Sequence, residues 1–246
     1  LIQLLLKMIP YQFFHPWEVV DLNRYSRNIS TLSQEENQVL LQSKVCVIGC
    51  GGLGGYTIEM LGRLGIRTIT AVDGDVFDET NLNRQILSDE HKIGQSKAIA
   101  AQKRMAVVNS DVKVIPIVEF LNESNAQSII SGHQVIVDAL DNIPTRFILQ
   151  EACHSLQLPL VYGAIAGWYG QASTIFPNDK TLNKIYRINT SNGKEKELGN
   201  PAFTPALISS IQVSEVVKIL INRGDLLRNK LLFINMLDHE YDVIDL

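Results

Sequence analysis

Residues 45–75 read VCVIGCGGLGGYTIEMLGRLGIRTITAVDGD, and the order of signals within them decides the fold. Residues 45–48 are a short apolar run of the kind buried on both faces of a parallel sheet. Gly49, Gly51 and Gly54 then satisfy Gly-x-Gly-x-x-Gly, and residues 66–72 form a second β-branched run that ends in Asp73. Gly49 permits the tight turn off the strand, Gly51 lets phosphate oxygens approach the backbone, and Gly54 lets the following helix pack closely on the sheet. The N–H groups exposed at that helix start offer an anion site. Strand, glycine loop, helix, strand and acid in that order predict a nucleotide-binding βαβ unit, without saying which nucleotide.

Outward from this unit the apolar and helical patterns keep alternating, which predicts a Rossmann-like α/β fold: a mainly parallel sheet with helices on both faces. The patterns predict helices at 95–108, 122–130 (opened by Asn122 or Ser124) and 144–156, and strands at 112–118, 134–138 and 160–166. The turn GWYG and a strand at 171–176 follow closely, so the sheet is expected to become antiparallel there. Residues 177–205 are polar and rich in Gly, Asn, Pro and Lys, and read as a long functional loop. Thr204 and Pro205 open a long helix whose apolar stripe is Ile208, Ile211, Val213, Val216 and Ile219, ending near Asn222 and Gly224. LLFINM and YDVIDL close the chain as a strand pair. No repeat or linker divides the sequence, so 24–246 reads as one domain behind an extension at 1–23.

At 246 residues and 46% apolar composition, the chain can bury a substantial core. Its formal net charge of −4 argues against a dedicated nucleic-acid binder and points to small anions or proteins as partners. Cys46, Cys50 and Cys153 are an odd set without a Cys-x-x-Cys pair, so neither a disulfide framework nor a zinc site is expected, and a reducing cytoplasm fits best. The opening LIQLLLKMIP is too short to span a membrane and lacks the layout of a signal peptide, so it reads as an extension that packs or pairs.

Four motifs together carry a resemblance. RYSRN at 24–28, GCGGLG at 49–54, NLNRQ at 81–85 with GQSK at 94–97, and DALDN at 138–142 stand in the order found in the ThiF/MoeB/HesA family, bacterial relatives of the ubiquitin-activating E1 proteins. The resemblance runs from about Arg24 to the C-terminus. It implies an adenylyltransferase that uses ATP and Mg²⁺ to activate the C-terminal glycine of a small ubiquitin-like sulfur carrier ending in Gly-Gly, of the ThiS or MoaD kind. On it, Arg84 and Lys97 bind the triphosphate and the developing transition state. Asp73 takes the ribose hydroxyls, Gly52 lends a backbone contact to the nucleotide, and Asp141 holds Mg²⁺ at the carboxyl edge of the sheet. Asn81 and Asn142 are polar contacts around phosphates and metal. Arg27 matches an arginine that reaches from the second subunit of a homodimer into the neighbouring ATP site. Its residue-level alternative, a helix-surface arginine paired with Glu35 or Glu36, stands equally open. Asp138 reads as a strand-end residue capping the next turn.

Departures from the family pattern matter too. Its two Cys-x-x-Cys pairs are missing, so zinc is not predicted. Residues 177–205 hold no cysteine, which disfavours a covalent thioester or persulfide on the protein and favours a bound acyl-adenylate passed to an external sulfur donor. Cys50 reads as a packing residue of the loop despite its place near a helix N-terminus, and Cys46 and Cys153 as core. Trp168, with Tyr169 and Phe203, is expected beside the carrier's path. Three rivals remain: an NAD-binding oxidoreductase, which leaves Arg84, Lys97 and Asp141 unexplained; E1-like activation of a carboxylate on modified transfer RNA; and a noncatalytic E1-like scaffold.

Overall fold

The computed structural model describes residues 22–186 and 195–246. Residues 1–21, most of the extension, and 187–194, the middle of the long loop, lie outside the described residues. A 3₁₀ segment, Leu22–Asn28, leads into α1 (Gln34–Leu40), which is closed at its start by a capping box between Ser33 and Glu36. Then follow β1 (Lys44–Ile48), α2 (Gly52–Leu64), β2 (Thr68–Val72), α3 (Lys97–Val108), β3 (Lys113–Ile117), α4 (Ala126–Ile130), β4 (Val135–Asp138) and α5 (Ile143–Ser155). The second half holds β5 (Leu160–Ala166), β6 (Tyr169–Ile175), α6 (Thr181–Ile185), α7 (Glu195–Leu198), α8 (Phe203–Ile221), β7 (Lys230–Asn235) and β8 (Glu240–Asp245).

One eight-stranded sheet runs through these elements in the order β3-β2-β1-β4-β5-β6-β7-β8. The first five strands are parallel and the last three join by antiparallel pairing, as the alternation and the GWYG turn predict. Register aligns the strand ends: Ile48 lies opposite both Val72 and Asp138, and Val72 opposite Ile117. The residues that follow β1, β2, β3 and β4 therefore emerge side by side along one edge, on either side of the point where chain order reverses between β1 and β4. Ligand crevices form at such switch points.

The interior strands carry nearly continuous apolar runs because helices cover both faces. Val45, Val47, Ile58, Leu61, Ile69 and Val137 pack in one layer with Val213 and Val216 of α8, and Cys46, Ile48, Ile136, Leu149, Cys153 and Leu160 in the other. The helix α8 is long and apolar enough to cross a membrane by length and composition, yet it lies against α2, β5 and β6, and that packing accounts for its apolar character.

Several boundaries shift for local reasons. The second strand begins at Thr68 rather than 66, because Gly65 caps α2 in the left-handed conformation and Ile66 N–H still bonds Leu61 O. The helix expected at 122–130 begins only at Ala126. The Asn122 side chain accepts from Ser124 N and Asn125 N and holds the chain in a turn. Residues 177–205 are not one open loop, since α6 and α7 punctuate them and Leu182 of α6 is fully buried, its N–H held by Gln150.

Candidate nucleotide site

The glycine loop is shaped by contacts that exclude side chains. Gly49 sits at φ +99°, and a Cβ there would meet the carbonyl oxygen of Ala139 at 2.5 Å. Gly54 lies at the start of α2, where a Cβ would be 1.8 Å from the carbonyl oxygen of Gly49. Gly51 and Gly52 instead face ordinary contacts, Gln85 at 3.5 Å and Pro205 at 3.5 Å, so their backbone stays approachable. Asp73 pins the loop: its Oδ2 accepts from Cys50 N at 2.8 Å and its Oδ1 from Asp75 N at 2.8 Å. Burial pushes the Asp73 carboxyl above its usual value, against these two bonds and the nearby Lys97.

A cleft of about 390 Å³ opens along the aligned strand ends. Gly49, Gly51, Gly52, Asp73, Arg84, Lys97, Asp141 and Asn142 line it, together with Asp75, Gln85, Phe120 and Asn200, which the sequence reading did not assign. The loop after each of β1, β2, β3 and β4 thus contributes a wall. Lys97 opens α3 with its side chain buried and its Nζ 3.1 Å from Asp75 Oδ2. Arg84 donates through Nη1 to Thr80 O at 2.9 Å and Asn83 Oδ1 at 2.8 Å, and pairs with no carboxylate among the described residues. Asn83 in turn donates to Asn200 O at 3.1 Å, tying Arg84 to the segment that returns toward α8.

Across the cleft, Asp141 is exposed and receives only a 3.5 Å contact from Asn142 Nδ2. Asn142 itself caps α5 through Thr145 N at 3.0 Å. Among the described residues no three acidic, His or Cys side chains gather as a metal cage. A single carboxylate suits Mg²⁺ nonetheless, because that ion commonly takes one or two carboxylates and completes its shell with phosphate oxygens and water. Two side-chain oxygens of the cleft wall, Gln85 Oε1 and Asn200 Oδ1, are buried without a partner, which fits a site built for a hydrogen-bonding ligand.

Other expected residues stand elsewhere. Gly54 is not in the cleft wall; it packs behind Gly49, its role being helix-to-strand approach rather than ligand contact. Asn81 is also outside the wall. It is buried, and its side chain accepts from Asp78 N at 3.3 Å and closes the turn before Arg84. Arg27 lies in a different groove of about 550 Å³, between the segment before α1 and the outer side of α8, which shares no residue with the cleft. Its local alternative fails: Glu36 pairs with Arg223 at 3.0 Å and Glu35 accepts from the Ser33 hydroxyl. Asp138 does cap the next turn, accepting from Leu140 N, but it is also fully buried against Arg146 at 3.1 Å. Cys50 is buried, and its thiol is pushed well up, first by burial and then by the Asp73 charge. Cys46 and Cys153 are core residues of β1 and α5. Trp168 and Phe203 are both exposed and pack together at 4.6 Å between ring centroids, with Leu198 of α7 next to Gly167. Tyr169 stacks on Phe233 instead.

Two cations, a buried acid and an exposed carboxylate thus stand around a glycine loop at the sheet's switch point, the place where α/β proteins of the nucleotide-binding class form their ligand crevice. The chain belongs to the ThiF family, which it matches over residues 25–246, a family of E1-like adenylyltransferases. It is 33% identical over 232 residues to the SAMP-activating enzyme E1 of Haloferax volcanii, covering 92% of this chain and 86% of that protein. To the sulfur carrier protein adenylyltransferase of Thermus thermophilus it is 30% identical, with 92% and 87% covered. The chain spans about half the length of the MOCS3 relatives it also matches, 46% of the one from Xenopus laevis. In structure it resembles Escherichia coli MccB, solved with MccA-N7isoASN, at a TM-score of 0.81 and 19% identity over 92% of this chain and 72% of MccB, a likeness of fold alone.

Proposed function

We propose that the protein adenylates the C-terminal glycine of a small ubiquitin-like sulfur carrier of the ThiS or MoaD kind, with ATP as the nucleotide, for sulfur transfer in thiamine, molybdopterin or a related cofactor synthesis. The observation that carries this reading is the gathering of Arg84, Lys97 and Asp141 around one glycine loop. A carboxylate oxygen attacking the α-phosphorus is one anion approaching another. The bond to the α–β bridging oxygen breaks as the new P–O bond forms, and pyrophosphate leaves. Such a step is accelerated mainly by positioning and by fixed positive charge. Arg84, with no carboxylate partner among the described residues, and Lys97, aimed by Asp75, supply that charge. Asp73 holds the ribose and the loop amides hold phosphate oxygens. Asp141, seconded by Asn142, would hold Mg²⁺, which spreads charge on the phosphates when bound.

Trp168, Phe203 and Leu198 border the segment that returns to α8 beside Asn200, and we place the carrier's extended tail along them. The absence of cysteine from 177–205 supports release of an acyl-adenylate to an external donor. We assign a reducing cytoplasm as compartment, in keeping with three free, buried cysteines. We further propose a homodimer in which Arg27 completes the partner's site. Support comes from the exposed Arg27, which has no acidic partner among the described residues and lies outside its own chain's cleft.

ATP–pyrophosphate exchange with Mg²⁺, run with a panel of carriers ending in Gly-Gly, tests the reading. Exchange that requires one carrier and disappears when its terminal glycine is removed is the expected result. Tight Mg·ATP binding without exchange on any carrier would move the acceptor to another carboxylate, such as one on RNA. Binding of NADH in place of ATP would overturn adenylation.

A further inference from the structure

Arg146 stands at the fourth position of α5, where side chains tilt toward the helix N-terminus and so run back beneath the loop that precedes the helix. It is 1% exposed. Its guanidinium reaches three elements at once: the Asp138 carboxylate at the end of β4 at 3.1 Å, the Gly163 carbonyl of β5 at 2.7 Å, and the Leu140 carbonyl. The face of Tyr162 lies 5.1 Å from it. Leu140 is thereby gripped from both sides, since its N–H donates to Asp138 Oδ1 at 3.0 Å while its carbonyl accepts from Arg146.

Asp138 O accepts from Gln212 at 2.8 Å, Ala139 N donates to Ile48 O at 2.9 Å, and Asn142 Oδ1 is spent on the helix cap. Of the side chains in 138–142 that bear charge, Asp138 is turned inward and Asp141 outward into the cleft. A lysine could not serve equally here, because a point charge on a flexible stem lacks the planar fork that meets a carboxylate and two carbonyls together.

We infer that Arg146 is a positioning residue for the metal-facing carboxylate: without touching nucleotide, it fixes the Leu140 peptide and so sets where Asp141 stands relative to the glycine loop. The inference rests on the assignment of Asp141 to Mg²⁺ given above. Groups behind a metal ligand typically contribute about 10–100-fold to metal affinity or activity.

The test uses Arg146→Lys in the full chain and reads Mg²⁺-dependent ATP binding by calorimetry, which needs no carrier. Thermal unfolding is followed alongside. A folded Arg146→Lys protein is expected to bind ATP without metal as the parent does. It should need about tenfold more Mg²⁺ for half-saturation and lose about tenfold in exchange kcat, with KM for ATP little changed. Should the single variant not fold, Asp138→Asn with Arg146→Gln removes both charges and leaves none buried unpaired. The same displaced Mg²⁺ curve is expected there. A parental Mg²⁺ dependence in either folded variant overturns the inference. The two readings separate in the parent protein: absence of exchange with every carrier counts against the proposed acceptor, while the Mg²⁺ titration of ATP binding still decides Arg146.

Discussion

At the scale of single residues, the glycine loop and Asp73 set opposite kinds of constraint. Gly54→Ala places a methyl against the Gly49 carbonyl, an obstacle made of backbone, so the substitution should destabilise by about 3 kcal/mol, the upper part of the range for overpacking. Chemical denaturation, with ATP binding lost in parallel, measures it. Asp73 predicts a pH effect. Its carboxyl titrates above the ordinary value because it is buried, so between the unfolded and folded values the native state holds the extra proton. That contribution destabilises the fold above the raised value and is relieved as pH falls through it. Ribose recognition runs the other way, since an ionised acceptor makes the stronger bond. ATP affinity should therefore weaken on acidification beginning above the ordinary aspartate value, and Asp73→Asn should bind more weakly with that acid limb gone; an unchanged acid limb in Asp73→Asn would remove Asp73 from the ribose. Asp141→Ala, by contrast, alters an exposed side chain and should change stability by less than about 0.5 kcal/mol while abolishing exchange. Exchange at the parental rate would refute its assignment. Most of these residues were legible because strand-end position follows from hydrophobic runs and motif spacing. Gln85, Asp75 and Phe120 were not assigned, because nothing local marks a side chain as facing a cleft whose walls come from four separate loops. Arg146 was missed for a related reason: its partners on β4 and β5 are brought to it only by sheet pairing.

At the scale of elements, the parallel half of the sheet was readable almost strand for strand, since each strand is buried on both faces and bounded by turn residues. The 177–205 segment was not. Its polar composition predicts loop, and the short helix α6 is too brief to show a period, yet Leu182 is sealed against the second layer of the core. Leu182→Ala should cost about 2–5 kcal/mol, as for other fully buried leucines. Loss of that size by denaturation would mark α6 as an anchor of the return segment; a change below about 0.5 kcal/mol, typical of surface sites, would show α6 to be detached in solution. The sequence pattern overextends helix α4 because Asn122 favours both a helix start and an Asx turn, and only the three-dimensional path shows that the turn prevails.

At the scale of the whole molecule, the nucleotide cleft and the Arg27 groove lie on separate sets of residues, so one chain by itself does not bring Arg27 to its own Arg84 and Lys97. In the proposed dimer Arg27→Ala should lower exchange, and mixing it with Asp141→Ala protomers should restore about half of the parental activity in each mixed dimer, because one of its two sites regains every group. No recovery in verified mixed dimers would refute a shared site. The glycine loop, finally, has a kinetic consequence. Cys50 N and Asp75 N already grip Asp73, and Gly49 N bonds Val72 O at 2.8 Å, so the loop holds its form through the protein's own bonds. Nucleotide capture then awaits no loop ordering: association should be a single fast phase, and differences among nucleotides should reside in how quickly each departs.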